Sequence, residues 1–151
     1  MSLDVNYISA QETIQLRHLV LRSGYPKHYC NWEGDHLKST KHVGAFLNSE
    51  CVGILSVFKN QTKTSSSQFQ YQLRGMAVHP EYQGQGIGKA LVIFIENELK
   101  AANCQLLWCN ARSSATAFYK KLGYNFASEE FMIQNVGPHY VMSKNLTKDA
   151  S

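Results

Sequence analysis

The stretch LRGMAVHPEYQGQGIGKAL, residues 73–91, runs from an apolar strand through three closely spaced glycines into a helix. Ile87, Leu91, Phe94, Ile95 and Leu99 recur at the spacing of one buried helical face, so the helix extends to about Asn103. A glycine-rich turn at a helix entrance offers unpaired N–H groups and the positive end of the helix dipole, which together suit a phosphate. Gly84, Gly86 and Gly88 are spaced as GxGxG, not GxGxxG, which excludes the dinucleotide fingerprint. Ala90 follows Gly88-Lys89 where a Walker loop needs Ser or Thr, which excludes that loop as well. An ordinary strand-to-helix turn has the same glycines, so the surrounding sequence must decide.

Phe69, Tyr71 and Leu73 put apolar groups on odd positions, whereas Met76 and Val78 put them on even ones, with Gly75 at the change. A period-2 pattern switches parity when a residue is inserted, and glycine at the switch favours a bulge. Such a strand presents backbone groups to a ligand lying alongside. Downstream, residues 105–110 read as a further strand. The strand-helix-strand unit thus has two parallel strands with a right-handed crossover, and ligands in such sheets sit beyond the carboxyl ends of the strands. Upstream, residues 3–8 read as a strand and 14–21 as a helix ended by Gly24 and Pro26. Residues 43–47 and 52–58 read as two strands joined by a short turn. The polar run 59–68, KNQTKTSSSQ, reads as a long flexible hairpin loop.

A chain of 151 residues, 44% hydrophobic and 17% charged, suits one domain, residues 1–151, and excludes bulk disorder. No apolar run reaches the roughly 18 residues of a spanning helix, and the N-terminus has no signal-like segment. A cytoplasmic protein that avoids membranes is expected. The net charge of +4 is scattered without a basic run, so nucleic acid is not an expected partner, while a small anionic ligand is. Cys30, Cys51, Cys104 and Cys109 show no metal-ligand spacing, so free thiols and no metal are expected.

The 73–91 segment resembles the acetyl-coenzyme A motif of the GNAT (Gcn5-related N-acetyltransferase) superfamily, with Gln83, Gly86 and Gly88 in the loop's key places. A second signature is similar to Ala115, Phe118, Tyr119, Lys121, Leu122, Gly123 and Tyr124, about 30 residues further on. The resemblance covers residues 69–126 closely and implies an α/β (α+β) GNAT fold. That fold has a mixed, mostly antiparallel sheet of six or seven strands, about four flanking helices and a bulged central strand. It also implies acetyl transfer from acetyl-CoA to a primary amine of a small molecule or peptide, by a monomer or homodimer. A non-catalytic acyl-CoA sensor is the alternative. Met76, Ala77 and Val78 would bind the thioester, and Gln83, Gly84, Gln85, Gly86, Ile87, Gly88 and Lys89 the pyrophosphate.

Ala115, Phe118, Tyr119 and Leu122 share one face of the last helix, with Ser113 or Ser114 able to cap its start and Gly123 its end. Base rates make an inward Tyr119 a core residue; the resemblance makes it the acid that protonates the leaving thiolate. A tyrosine with pKa about 10 holds its proton at pH 7 and can donate to a thiolate whose conjugate acid lies near 8.5. Many relatives carry an Asn where this chain has Arg112, so the coenzyme arm falls to Arg112 or to Asn110. Many also carry a strand Glu as base, yet residues 69–78 hold no carboxylate. His79 reads as a turn residue before Pro80. Glu33 and Asp35, beside Trp32 and His36, read either as a solvated turn or as the site that attracts a cationic amine.

Overall fold

A computed structural model describes residues 2–147. The strands are β1 (Leu3–Ile8), β2 (Lys41–Leu47), β3 (Glu50–Lys59), β4 (Gln70–Val78), β5 (Leu106–Arg112), β6 (Asn125–Phe126), β7 (Phe131–Ile133) and β8 (Gly137–Asn145). The α-helices are α1 (Ile14–Leu16), α2 (Ile87–Ala101) and α3 (Thr116–Lys121). The sheet order is β1-β2-β3-β4-β5-β8-β6, with β7 on β8. This is the expected mixed, mostly antiparallel α/β fold, with eight strands instead of six or seven and three α-helices among the described residues. The additional strands, β6 and β7, are two and three residues long, too short for alternation to reveal. The described chain divides into two compact units, residues 2–58 with 73–97 and residues 59–72 with 98–147.

In the first unit β1, β2 and β3 form antiparallel pairs, with an irregularity between Ala45 and Phe46. Strand β3 is buried from Val52 to Phe58, as its continuous apolar run requires of a strand covered on both faces. The expected helix over 14–21 is present but mixed: α1 continues into a π turn, Arg17–Leu21. That turn carries Arg17 into the core, where its guanidinium donates to both Asp35 oxygens, at 2.7 and 3.0 Å. It also donates to the Cys30 carbonyl at 2.9 Å and to Ser56 Oγ at 3.0 Å. His42 Nε2 lies 2.9 Å from the Asp35 carbonyl, which can only accept, so Nε2 carries the proton. Nδ1 therefore accepts from Ser56 Oγ at 2.6 Å. Burial drives the His42 pKa down, in keeping with a neutral ring.

In the second unit β4 and β5 pair in parallel from Gln70↔Leu106 to Gln72↔Trp108. Strand β5 then pairs with β8 along its whole length. The 59–68 loop is pinned, contrary to the flexibility its composition implies. The buried Gln70 side chain accepts from Thr62 N at 2.9 Å and donates to Ser67 O at 2.8 Å. Asn60 donates to Gln72 at 2.9 Å, and Trp108 Nε1 donates to the Asn60 carbonyl at 2.9 Å. Neither expected serine cap forms: Ser113 Oγ donates to Glu130 at 2.7 Å, and α3 starts without a side-chain cap. The far end is as expected. Gly123 N bonds Lys120 O, Tyr124 N bonds Tyr119 O, and Gly123 has φ +97°, a Schellman motif.

Burial pushes the Asp35 carboxyl up, but the Arg17 hydrogen bonds, the Trp32 N–H and the Arg17 charge outweigh it and hold its pKa below the ordinary value. The stabilisation is therefore present above the unfolded pKa of about 4 and is lost as pH falls through the lower folded value. Asp35→Asn leaves a buried guanidinium without its charge partner, and about 3–5 kcal/mol of stability should disappear at pH 7. Urea unfolding at pH 7 and pH 3 checks this, since the substitution should also shrink the difference between the two.

Candidate active site

The expected bulge residue Gly75 has φ +69°. A Cβ built there would lie 2.5 and 2.7 Å from two ring atoms of Trp32, so both the backbone and the ring demand glycine. Past the strand, His79 Nδ1 accepts from Glu81 N at 3.1 Å and caps the turn Pro80–Tyr82, the turn role expected of it. Gln83 Nε2 then donates to the Val78 carbonyl at 3.1 Å, tying the loop to the end of β4. Gly84 and Gly86 follow with φ +80° and +81°, and a Cβ at either would meet nothing within 4 Å. The main chain is thus bare and open where α2 begins, and Ala90 N is already bonded to Gly86 O. Ile87 differs from its neighbours. Its side chain is buried, 2.7 Å from the Cβ position of Gly53, which leaves only its main chain for a ligand.

Glu33 and Asp35 do not form the paired carboxylate site considered for a cationic amine. Glu33 is exposed. Asp35 is turned into the core, with both oxygens on Arg17 and one also accepting Trp32 N at 2.8 Å. Glycine between them allows the chain to reverse so that one carboxylate faces water and the other the interior. The residue that sequence reading missed is Arg17, which sits in the helical pattern like any surface arginine.

In the second unit Tyr119 is buried, and its hydroxyl pairs with the Cys109 thiol. Its ring makes edge-on contacts with Phe118 and Tyr124, at centroid distances of 5.1 and 5.6 Å. Burial, followed by the neighbouring Cys109, raises the Tyr119 pKa far above its ordinary value, so the hydroxyl stays protonated at any working pH. Burial likewise pushes the Cys109 thiol up to about 12. Asn110 and Arg112 are both exposed on β5, two residues apart and so on one face. Cys109 and Ala111 are buried on the other, which is the face that Tyr119 meets.

Gln70 and Gln72 are buried and committed to the 59–68 loop, so neither stands in for the carboxylate that β4 lacks. Among the described residues no group of three or more His, Cys, Asp or Glu is arranged to hold a metal ion. No helix there is long and apolar enough to cross a membrane.

Comparison with known proteins identifies the family. The profile of the Acetyltransferase (GNAT) family matches residues 9–124. The Bacillus subtilis (strain 168) protein named "Uncharacterized N-acetyltransferase YitI" is 33% identical over 144 residues, 95% of this chain and 97% of that protein. The [Ribosomal protein bS18]-alanine N-acetyltransferase of Escherichia coli (strain K12) is 41% identical over 59 residues, 37% of this chain and 40% of that one. Among solved structures, an aminoglycoside 6'-N-acetyltransferase complexed with coenzyme A superposes with TM-score 0.78 at 16% identity, covering 98% of this chain and 99% of its own. The chain belongs to the GNAT acetyltransferase family. It is an acyltransferase whose donor is acetyl-CoA.

The Cys109 thiol has an ordinary pKa of 9.0 and a folded value of about 12, so its contribution to stability is intact below pH 9 and disappears as pH rises towards 12. Over that window this group alone lowers stability by about 1.4 kcal/mol per pH unit. Cys51 and Cys104 are also raised and add to the slope. Urea midpoints at pH 9, 10 and 11 should fall less steeply for Cys109→Ala than for the parent.

Proposed function

We propose that this chain transfers the acetyl group of acetyl-CoA to a primary amine by direct attack. The observation that carries the reading is the open, left-handed backbone at Gly84 and Gly86 where α2 begins. An anion can approach these N–H groups with no Cβ in the way, and the helix dipole favours negative charge there. Main-chain groups from Gln83 to Lys89 bind the pyrophosphate, and Lys89 adds a positive charge in the first turn. N–H groups of Met76 and Val78, with Ala77 between them, hold the thioester and stabilise its developing oxyanion. The coenzyme arm falls to Asn110 or Arg112 at the end of β5. One family profile covers parts of both compact units, which supports a single N-acetyltransferase domain.

In the reaction the neutral amine nitrogen attacks the carbonyl carbon, a C–N bond forms and the C–S bond breaks. The sulfur leaves as a thiolate that receives a proton, and the amine gives up one. Tyr119 donates a hydrogen bond to the sulfur, and the proton that the amine gives up balances the one that the thiolate takes. The raised pKa of Tyr119 makes it a constant hydrogen-bond donor, one that carries its proton at every pH where the enzyme works.

Two variants test this reading. Gly86→Val introduces a branched side chain at φ +81° in the anion's path, so coenzyme A affinity measured by calorimetry should fall at least about tenfold, with the helical circular dichroism retained. Undiminished affinity would reject the loop. Tyr119→Phe removes one hydroxyl and keeps the ring against Phe118 and Tyr124, so kcat should fall about 10²- to 10⁴-fold with little change in coenzyme A affinity. Coenzyme A binding with no turnover of any amine by the parent would favour the acyl-CoA sensor.

A further inference from the structure

Trp32 is half-buried and is surrounded by arginines. The guanidinium carbon of Arg17 lies 3.8 Å from its ring centroid, that of Arg74 5.1 Å and that of Arg22 5.6 Å. Arg74 is also 5.1 Å from the Phe58 ring. Three guanidiniums here share one committed carboxylate, Asp35, an excess of two positive charges. Among the described residues neither Arg22 nor Arg74 forms an ion pair, nor does the exposed Glu33. Arg22 spends one N–H on the Leu21 carbonyl. The Arg17 Nε is fully buried with no hydrogen-bond partner and lies 3.8 Å from the Cβ position of Gly75. Desolvation and the charge of Arg17 depress the Arg74 pKa, and the Asp35 charge, which opposes them, does not restore it.

Core packing does not explain this arrangement. Arg17 is held by Asp35, Cys30 and Ser56 without any help from Arg22 or Arg74. Arg74 is exposed, on β4 immediately before Gly75, against which Trp32 packs. A guanidinium within about 6 Å of an aromatic centroid is attracted to the ring, and its N–H groups stay able to recognise a carboxylate through two parallel bonds. From Arg74 to Met76, where the thioester is proposed to bind, is about 7 Å of strand. That span suits an acceptor whose amine and anion are a few bonds apart.

We propose that Arg22 and Arg74, held against Trp32, bind a carboxylate carried by the amine acceptor, which makes the acceptor class amino acids or peptides with an acidic group near the amine. The inference rests on the acyl-transfer reading and narrows it. A polycationic acceptor such as an aminoglycoside or polyamine would meet two uncompensated like charges.

The test compares free amino acids with their primary amides, dipeptides beginning with Asp or Glu with those beginning with Asn or Gln, and spermidine. Carboxylate acceptors should be favoured at least about tenfold in kcat/KM, through KM, as charge-assisted hydrogen bonds imply. Arg74→Gln and Arg22→Gln should remove that preference while the KM for acetyl-CoA changes little. Independently of turnover, N-acetylamino acids should perturb Trp32 fluorescence in the parent, with Trp32→Phe as the blank against Trp108. Their amides should not, and Arg74→Gln should weaken the response at least about tenfold. Equal use of acids and amides, preference for spermidine, or a preference that survives both substitutions overturns the proposal while acyl transfer stands. A carboxylate-specific fluorescence response with no turnover of any amine discards acyl transfer and keeps the anion site.

Discussion

The bidentate pair between Arg17 and Asp35 is the contact on which the architecture of the first unit depends. A buried ion pair adds little net stability relative to a well-packed apolar core, because desolvation cancels most of the attraction. Its effect lies in what happens when it is broken, since each partner is then a charge stranded away from water. That asymmetry locks together four parts of the chain that have no sequence proximity: the π turn that carries Arg17, the 30–35 turn, His42 of β2 and Ser56 of β3. A π turn inserts an extra residue into a helix and re-aims side chains, which is how Arg17 comes to point inward from an otherwise amphipathic segment. With Asp35 fixed, Trp32 N is fixed too, and two atoms of the indole lie so close to Gly75 that no Cβ fits between them.

The two elements proposed to carry the chemistry are built by opposite means. The glycine loop presents backbone that no side chain covers. Tyr119 presents a hydroxyl removed from water and held beside the Cys109 thiol. The Schellman motif explains how the latter is kept in place: Tyr124 N bonds the Tyr119 carbonyl while the Tyr124 ring packs edge-on against the Tyr119 ring. A single turn thereby fixes both the main chain and the side chain of the residue assigned to the leaving group.

Much of this was readable in advance because the signals are local. Apolar runs located β1 to β5, the apolar stripe located α2, and the parity change at Gly75 pointed to the irregular strand that its positive φ bears out. What escaped reading depends on long-range partners. Arg17 and Arg22 look like two solvated cations until the π turn separates their fates. Asp35 is indistinguishable from Glu33 two residues away, because only the fold supplies the guanidinium that draws one inward. Gln70 and Gln72 look like free polar positions, yet each holds a loop whose Ser-rich and Thr-rich composition implied motion.

The absence of a carboxylate on β4 and the surplus of guanidiniums beside it belong to one electrostatic problem. An acceptor amine that is protonated in water must lose a proton before it can attack, and an enzyme can either supply a base or make the ammonium form less stable. One unit positive charge about 8 Å away, at an effective dielectric of about 20, acts on an ammonium by about 2 kcal/mol, roughly 1.5 pKa units. Two arginines facing one acceptor carboxylate leave a net charge of one to act in this way. The same residues that recognise the anion thus shift the bound amine towards its neutral, nucleophilic form, and water is then a sufficient destination for the proton. A cationic surround would be a poor design for an enzyme that recognised its acceptor by positive charge. It is a consistent one where the acceptor is recognised by its carboxylate and the amine must arrive neutral.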